Sequence, residues 1–183
     1  MNQSNQSRVW WPGVALVFLG ALALGCGEEK AVPEAQSRLL AVGEVEIIID
    51  SMGVPHIYGG SDVDLFYGYG YQLAADRMFQ LEMFRRQALG RSAEILGQGG
   101  VLRDQQARIF NWRDWGRLDA AWMAENEPER YALIEAYVAG INARVAEVQA
   151  GEAPLPFGYG ADGYEFLPEP WETDDVYVVQ KMA

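Results

Sequence analysis

Ser61-Asp-Val-Asp-Leu-Phe-Tyr-Gly-Tyr-Gly-Tyr-Gln-Leu-Ala-Ala-Asp-Arg-Met-Phe-Gln-Leu-Glu-Met-Phe-Arg-Arg-Gln87 reads as one long helix, and it decides the fold. Ser61-Asp-Val-Asp64 is a capping-box-like start, with side-chain oxygens for the orphan N–H groups of the first turn. Leu65, Tyr69 and Leu73 share one side, and Met78, Leu81 and Phe84 follow further along. Phe66, Phe79 and Met83 occupy other faces, and a helix apolar on several sides is a buried helix. Gly68 and Gly70 each cost about 1 kcal/mol against Ala inside a helix. Their presence predicts close packing at that point.

Upstream, Glu44-Val-Glu-Ile-Ile-Ile-Asp50 begins in alternation and ends in a β-branched run, the signature of a strand. Ser51-Met52-Gly53 is a turn, with Gly53 free to take positive φ. Val54-Pro-His-Ile-Tyr58 is a second short strand, and Pro55 restricts it to an edge or to a start at that residue. The two make a hairpin. Downstream, Gly90 and Gly97 read as stops around a short turn of helix, Arg91–Leu96. Residues 101–125 are helical in tendency, with Phe110, Trp112, Trp115 and Trp122 as expected anchors. Asn126 is the expected cap of a further helix with Pro128 in its first turn. Tyr131, Ile134, Val138, Ile141, Val145 and Val148 then recur at alternating spacings of three and four, one buried stripe. Gly151 to Pro170 is a structured loop rich in Gly, Pro and aromatic residues. From Trp171 another helix begins, capped by Thr173 or Asp174, and it breaks off at Ala183 without a stop signal, as a truncated chain would. The fold class is α+β and mostly helical.

Half of the 183 residues are apolar and 12% are aromatic, which excludes a disordered chain. Twenty-six acids against 14 Lys and Arg give a net charge of −12, with no basic stripe for nucleic acid. One Cys and one His exclude an internal disulfide and a zinc site of Cys and His alone.

At the N-terminus, Gly13–Leu24 is an apolar run of twelve. It is too short for a spanning helix of about 20 residues and has the length of a signal-peptide core. Cys26 follows at once after Gly25. Leu22-Ala-Leu-Gly-Cys26 resembles a bacterial lipoprotein signal, in which the cysteine takes a diacylglyceryl group and becomes the new N-terminus. A plain secretory signal with cleavage nearby and an uncleaved anchor are the alternatives. All three export the chain, to the periplasm or the outer surface. The expected organisation is a signal peptide over 1–25, a polar tether over 26–43 and a folded region over 44–183.

The residues that could carry chemistry are few. His56 would have to serve any Ser–His–Asp triad, and no Gly-x-Ser-x-Gly elbow accompanies it. Gly68-Tyr-Gly-Tyr lies inside a helix and lacks a third glycine, so it is no dinucleotide loop; no organic cofactor is expected. Arg85-Arg86 and Asp76-Arg77 suit a buried Arg–carboxylate network. Glu172, Asp174 and Asp175 could offer oxygens to calcium, or act as dipole partners at a helix start.

Several blocks together resemble the α-chain region of the penicillin acylase family, among the N-terminal-nucleophile hydrolases. They are Val45–Tyr58, Gly68–Glu82, Arg85-Arg86 with Gly90-Arg91 and Ala93–Gly97, Ala136–Ala143, and Leu155-Pro156 with Tyr164 and Pro168–Val176. The resemblance runs in order from about residue 45 to 183. It implies an αββα fold of which this chain, a β-hairpin plus long helices, is the α-chain portion and incomplete alone. It implies a precursor that cleaves itself into an α chain, a spacer and a β chain. The nucleophile is then the hydroxyl of a β-chain N-terminal serine, with its own α-amino group as base, so no catalytic residue lies in this sequence. The reaction implied is hydrolysis of a linear amide in an N-acyl compound, such as a β-lactam side chain. Acyl-homoserine lactones are the alternative substrate, and an inactive exported binding module the alternative function. The partners implied are the β chain, a small N-acyl substrate and, through Cys26, a membrane. The resemblance also points to Tyr164 and Phe166 as one wall of the acyl pocket, and to Glu172 as a ligand of a structural calcium ion.

Overall fold

The computed structural model describes residues 36–39, 45–160 and 163–182. The signal segment, Cys26 and most of the tether lie outside these. No helix among the described residues is long and apolar enough to cross a membrane.

Three antiparallel strands, β1 (Gln36–Leu39), β2 (Glu46–Ile49) and β3 (Pro55–Tyr58), form a sheet in that order. The β2–β3 hairpin is the expected one, with Ile47 opposite Ile57 and Ile48 opposite His56. Pro55 stands at the start of the outer strand, where its missing N–H costs nothing. Asp50 holds the turn: its Oδ1 accepts from Met52 N at 2.8 Å and Val54 N at 2.9 Å, and its Oδ2 lies 3.1 Å from His56 Nε2. The Val54 N–H and the His56 ring keep the Asp50 carboxyl below its ordinary range. β1 corrects the tether reading, because pairing begins at Gln36 inside the segment 26–43. Backbone pairing on a free strand edge demands little of side-chain polarity, so composition did not reveal it.

α1 (Asp62–Leu89) is the long helix, one residue past its expected start and two past its expected end. Ser61 Oγ accepts from Asp64 N at 3.2 Å, and Gly90, at φ 70°, closes the helix. α1 bends at Arg77, whose φ of −134° and ψ of 21° interrupt the helical path. α5 (Pro128–Gln149) packs along α1. The contact is backbone on backbone. A Cβ on Gly70 would stand 1.9 Å from Tyr137 O, and one on Gly140 would stand 2.0 Å from Tyr67 O. Two apolar clusters line this seam. One joins Val45 and Ile47 of the sheet to Tyr67, Tyr71 and Ala136. The other joins Ala74 and Met78 to Val138, Ile141, Val145, Val148 and Trp171. Each fully buried aliphatic side chain contributes about 1.5–3 kcal/mol.

The buried side of α1 differs from the expected one. Leu65, Phe66, Tyr69 and Phe84 are exposed, while Gln72, Glu82, Arg85 and Arg86 are buried. α2 (Ala93–Leu96) and α3 (Val101–Phe110) fold back as a corner, fixed by buried Asp104. Its carboxylate accepts from Ser92 N at 2.6 Å and Ala93 N at 2.8 Å.

α4 (Trp112–Asn126) and α6 (Thr173–Gln180) pack together, but not through the tryptophans. Gly116 and Ala120 form the buried face, and a Cβ on Gly116 would meet Val178 at 2.6 Å. Trp115 and Trp122 project from the other side, each 56% exposed, and Phe110 is exposed too. The expectation that Phe110, Trp115 and Trp122 are anchors is therefore overturned. Small residues at i and i+4 admit a neighbouring backbone, which large rings cannot do. Two caps also shift by one residue. Asn126 is the last residue of α4 and Glu127 caps α5, with Pro128 first in the helix. Glu172 caps α6, and Asp175 Oδ2 accepts its N–H at 3.0 Å.

Candidate functional site

The second half of α1 brings Glu82, Arg85 and Arg86 to the interior, at spacings of three and four that place all three on one side. Glu82 Oε2 takes Arg85 Nη2 at 2.6 Å, and Glu82 Oε1 takes Arg86 Nε at 2.6 Å. Arg86 continues outward to Glu94 and, at 2.8 Å, to Glu169. Arg91 holds the same two acids, at 2.9 Å each. Arg85 turns the other way, to Pro170 O and, at 3.4 Å, to Asp175. Three guanidiniums and four carboxylates thus join α1, the α2 corner, the loop before α6 and α6 itself.

Burial pushes the Glu82 carboxyl up, while the charges of Arg85 and Arg86 oppose that shift. Burial likewise raises Asp175. Glu169 is pulled down to about 2, chiefly by its hydrogen bonds from Arg91. The network is the one expected for Arg85-Arg86. Asp76 and Arg77 are exposed and stand apart from it. Glu82, four residues before Arg86, was the legible signal for its buried acid; Glu94 and Glu169 had none.

The loop from Gly151 is held against this network at both its body and its exit. Asn142 of α5 grips Trp171 through both backbone groups, donating to its O at 2.8 Å and accepting from its N at 2.7 Å. Gln149 donates to Pro168 O at 2.7 Å. Inside the loop, Tyr164 stacks on Phe79 of α1 at 5.7 Å, and Phe166 lies 5.0 Å from Tyr159. Tyr164 and Phe166 are 6.5 Å apart. The Arg86 guanidinium lies 5.1 Å over the Phe166 ring.

The two pocket residues expected from the sequence are therefore neighbours. They line a cleft of about 380 Å³ together with Arg86, Glu94, Ile95, Glu165 and Glu169. Glu172 lies in a different place. It is exposed and lines a smaller cavity of about 160 Å³ with Arg85, Arg91, Arg113, Arg117 and neighbouring acids. Its near neighbours are engaged: Asp174 bonds Arg117 at 3.1 Å, and Asp175 bonds the Glu172 N–H. Among the described residues no group of three or more His, Cys, Asp and Glu is arranged to hold a metal ion. His56 has Asp50 as its hydrogen-bond partner, out on the hairpin turn.

The family model described as penicillin amidase matches residues 44–183. The chain belongs to the penicillin amidase family. It is 39% identical to penicillin G acylase of Escherichia coli over 137 residues, 74% of this chain and 16% of that protein. It is 38% identical to the penicillin acylase 2 proenzyme of Pseudomonas sp. (strain SE83) over 79% of this chain and 18% of that one. An acyl-homoserine lactone acylase, QuiP of Pseudomonas putida, is 30% identical over 88% of this chain and 20% of its own length. Among solved structures, a thermostable penicillin G acylase from Alcaligenes faecalis superposes with a TM-score of 0.65 at 33% identity. That match covers 76% of this chain and 71% of the solved one. The α+β arrangement described above is thus a fragment of the penicillin acylase fold, of the N-terminal-nucleophile type. The chain spans between about a sixth and a fifth of the length of the curated relatives it matches.

Proposed function

We propose that this chain is the α-chain region of an exported amidohydrolase that cleaves the linear amide of N-acyl compounds. The single observation that carries this is the family match over residues 44–183. The reacting groups come from elsewhere in the protein: an N-terminal serine hydroxyl attacks the amide carbonyl, and its own α-amino group takes the proton. Preorganised donors of that second chain stabilise the oxyanion. This chain's part is positioning. Tyr164 and Phe166 offer ring faces to an aryl or alkyl acyl group, and the Glu82–Arg86–Glu169 network fixes the loop that carries them. Holding the acyl group still converts binding into rate, because a misplaced amide is not attacked.

Glu172 is the residue of this chain that would hold calcium, which staples chains together through oxygen ligands when bound. The carboxylate is exposed and also accepts the Asp175 N–H as the cap of α6, which leaves oxygen lone pairs for one ligand position, while Asp174 and Asp175 are engaged, so the remaining oxygens would come from the second chain. Cys26 is the proposed lipid attachment point; a fatty-acid probe should label the wild type and not Cys26→Ser, and equal labelling would remove the anchor.

Purified complete gene product assayed on phenylacetyl amides and on acyl-homoserine lactones tests the reading. Turnover of the phenylacetyl amide supports it. Turnover of the lactones alone moves the enzyme to the other branch of acylases, toward which the QuiP similarity points. Turnover of neither refutes the acylase reading.

A further inference from the structure

β2 is the middle strand of the sheet, and its sequence is Glu46-Ile-Ile-Ile49, a β-branched run without proline. Such a run, held extended with open N–H and C=O groups, pairs readily with another chain. Ile47, 1% exposed, packs with Val45, Tyr67, Tyr71 and Ala136, which pins β2 against α1 and α5 and sets Ile48 on the opposite face. β3 pairs with β2 on one side, with Glu46 opposite Tyr58 and Ile49 opposite Pro55. β1 pairs with it on the other, with Gln36 opposite Ile49 and Leu39 opposite Glu46, so every residue of β2 has a partner on both sides. β2 and β3 fall within residues 44–183 of the family match, and β1 lies before it. The strands left at the two edges are poor templates. β3 opens with Pro55, which has no N–H to offer, and β1 is only four residues long and includes Arg38.

We propose that β1 guards the sheet: by taking the second side of β2 it keeps that strand from pairing with β2 of a second copy of this chain. Two copies related by a two-fold axis meet antiparallel, and each offers the other the ladder bonds that β1 supplies. Centred pairing sets Glu46 opposite Ile49 of the second copy and Ile47 opposite its Ile48, so no two carboxylates meet directly. The packing of Ile47 holds β2 in the extended form such pairing needs, whether or not β1 is in place. β1 therefore acts by occupying backbone groups, and the acylase reading is not needed for it.

The test uses the complete gene product with Cys26→Ser as the parent, so that no lipid contributes to association. In an extended strand the N–H groups of neighbouring residues point to opposite sides. Ser37→Pro combined with Arg38→Pro therefore removes whichever of the two donors faces β2. Sedimentation velocity at matched concentration reads the outcome. The double-proline variant should sediment as a larger species than the parent. Adding Ile48→Lys should return it to the parent's value, because a lysine ammonium on an open edge strand opposes pairing. Ile48 lies on the face opposite buried Ile47, so that change leaves the packing on α1 intact. Sedimentation of the double-proline variant equal to the parent's overturns the proposal. Association that Ile48→Lys leaves in place overturns it too, because an open β2 edge is then not its cause.

Discussion

Gly70 and Gly140 do the same job from opposite sides. Each lets a backbone carbonyl of the partner helix approach to a distance that a methyl group would occupy. A backbone cannot swing aside as a long side chain can, so Gly70→Ala and Gly140→Ala must push α1 and α5 apart. Overpacking of this kind costs about 1–3 kcal/mol or more. Gly99, whose added Cβ would meet nothing within 4 Å, is the control; Gly99→Ala should be neutral or slightly stabilising. Chemical denaturation of the three variants checks both signs, and equal midpoints would refute the close approach. Glu169 makes a different prediction. Its folded pKa, about 2, lies below its ordinary 4.5. Its contribution to stability is complete above about pH 4.5 and is lost as pH falls toward 2. Glu94 acts in the same direction, whereas Glu82 and Asp175, raised by burial, act in the opposite one. Melting curves of wild type and Glu169→Gln should therefore differ at neutral pH and converge by about pH 2. A constant difference across the range would show that Glu169 is not held ionised by Arg86 and Arg91.

The elements differ in how far their sequences announce them. α1 was legible from Ser61, from Gly68 and Gly70, and from Gly90, because caps, close approaches and left-handed stops each demand particular residues. The inner half of the α5 stripe, Val138, Ile141, Val145 and Val148, is buried as its spacing requires. β1 was not legible, since pairing along a strand edge uses backbone groups that every sequence carries. The orientation of α4 was misread because Trp115 and Trp122 look like anchors, while the true contact is made by Gly116 and Ala120. Hydrophobic size says that a residue can be buried, and only the neighbouring element decides whether it is. The site followed the same division. Resemblance alone pointed to Tyr164 and Phe166, and the ion pair of Glu169 with Arg86 that ties their loop to α1 links residues more than 80 positions apart, which no local pattern records. Asn142 belongs to this class as well. Its two bonds to Trp171 fasten the loop's exit to α5. Asn142→Ala should cost about 1–3 kcal/mol by leaving the Trp171 N–H and C=O without their partners. Amide exchange should speed up over residues 163–172 while the α1–α5 seam stays protected. Unchanged exchange there would mean that the loop is held by its rings alone.

At the scale of the molecule, the chain has a finished interior and an unfinished exterior. The α1–α5 seam is tightly packed, yet Ile109, Phe110, Trp115, Leu118 and Trp122 stand exposed along α3 and α4, and Leu65, Phe66 and Tyr69 along α1. Exposed apolar side chains in this number suit an interaction surface, and under the proposed function a second chain of the same protein would cover them. Calcium would act at this level too. If Glu172 shares an ion with the second chain, calcium stabilises the native state by mass action, about 2.7 kcal/mol at a hundredfold excess over its dissociation constant. Glu172→Gln should then abolish the calcium-dependent rise in melting temperature of the complete gene product, and identical rises in both would show that Glu172 is not a ligand. The central claim is that this chain positions the acyl group and supplies no reacting group. It is tested most directly by measuring phenylacetyl-amide hydrolysis by residues 27–183 alone and by the complete gene product, side by side. The account predicts turnover by the complete product and none above a heat-killed control by the isolated chain. Turnover by the isolated chain would contradict it.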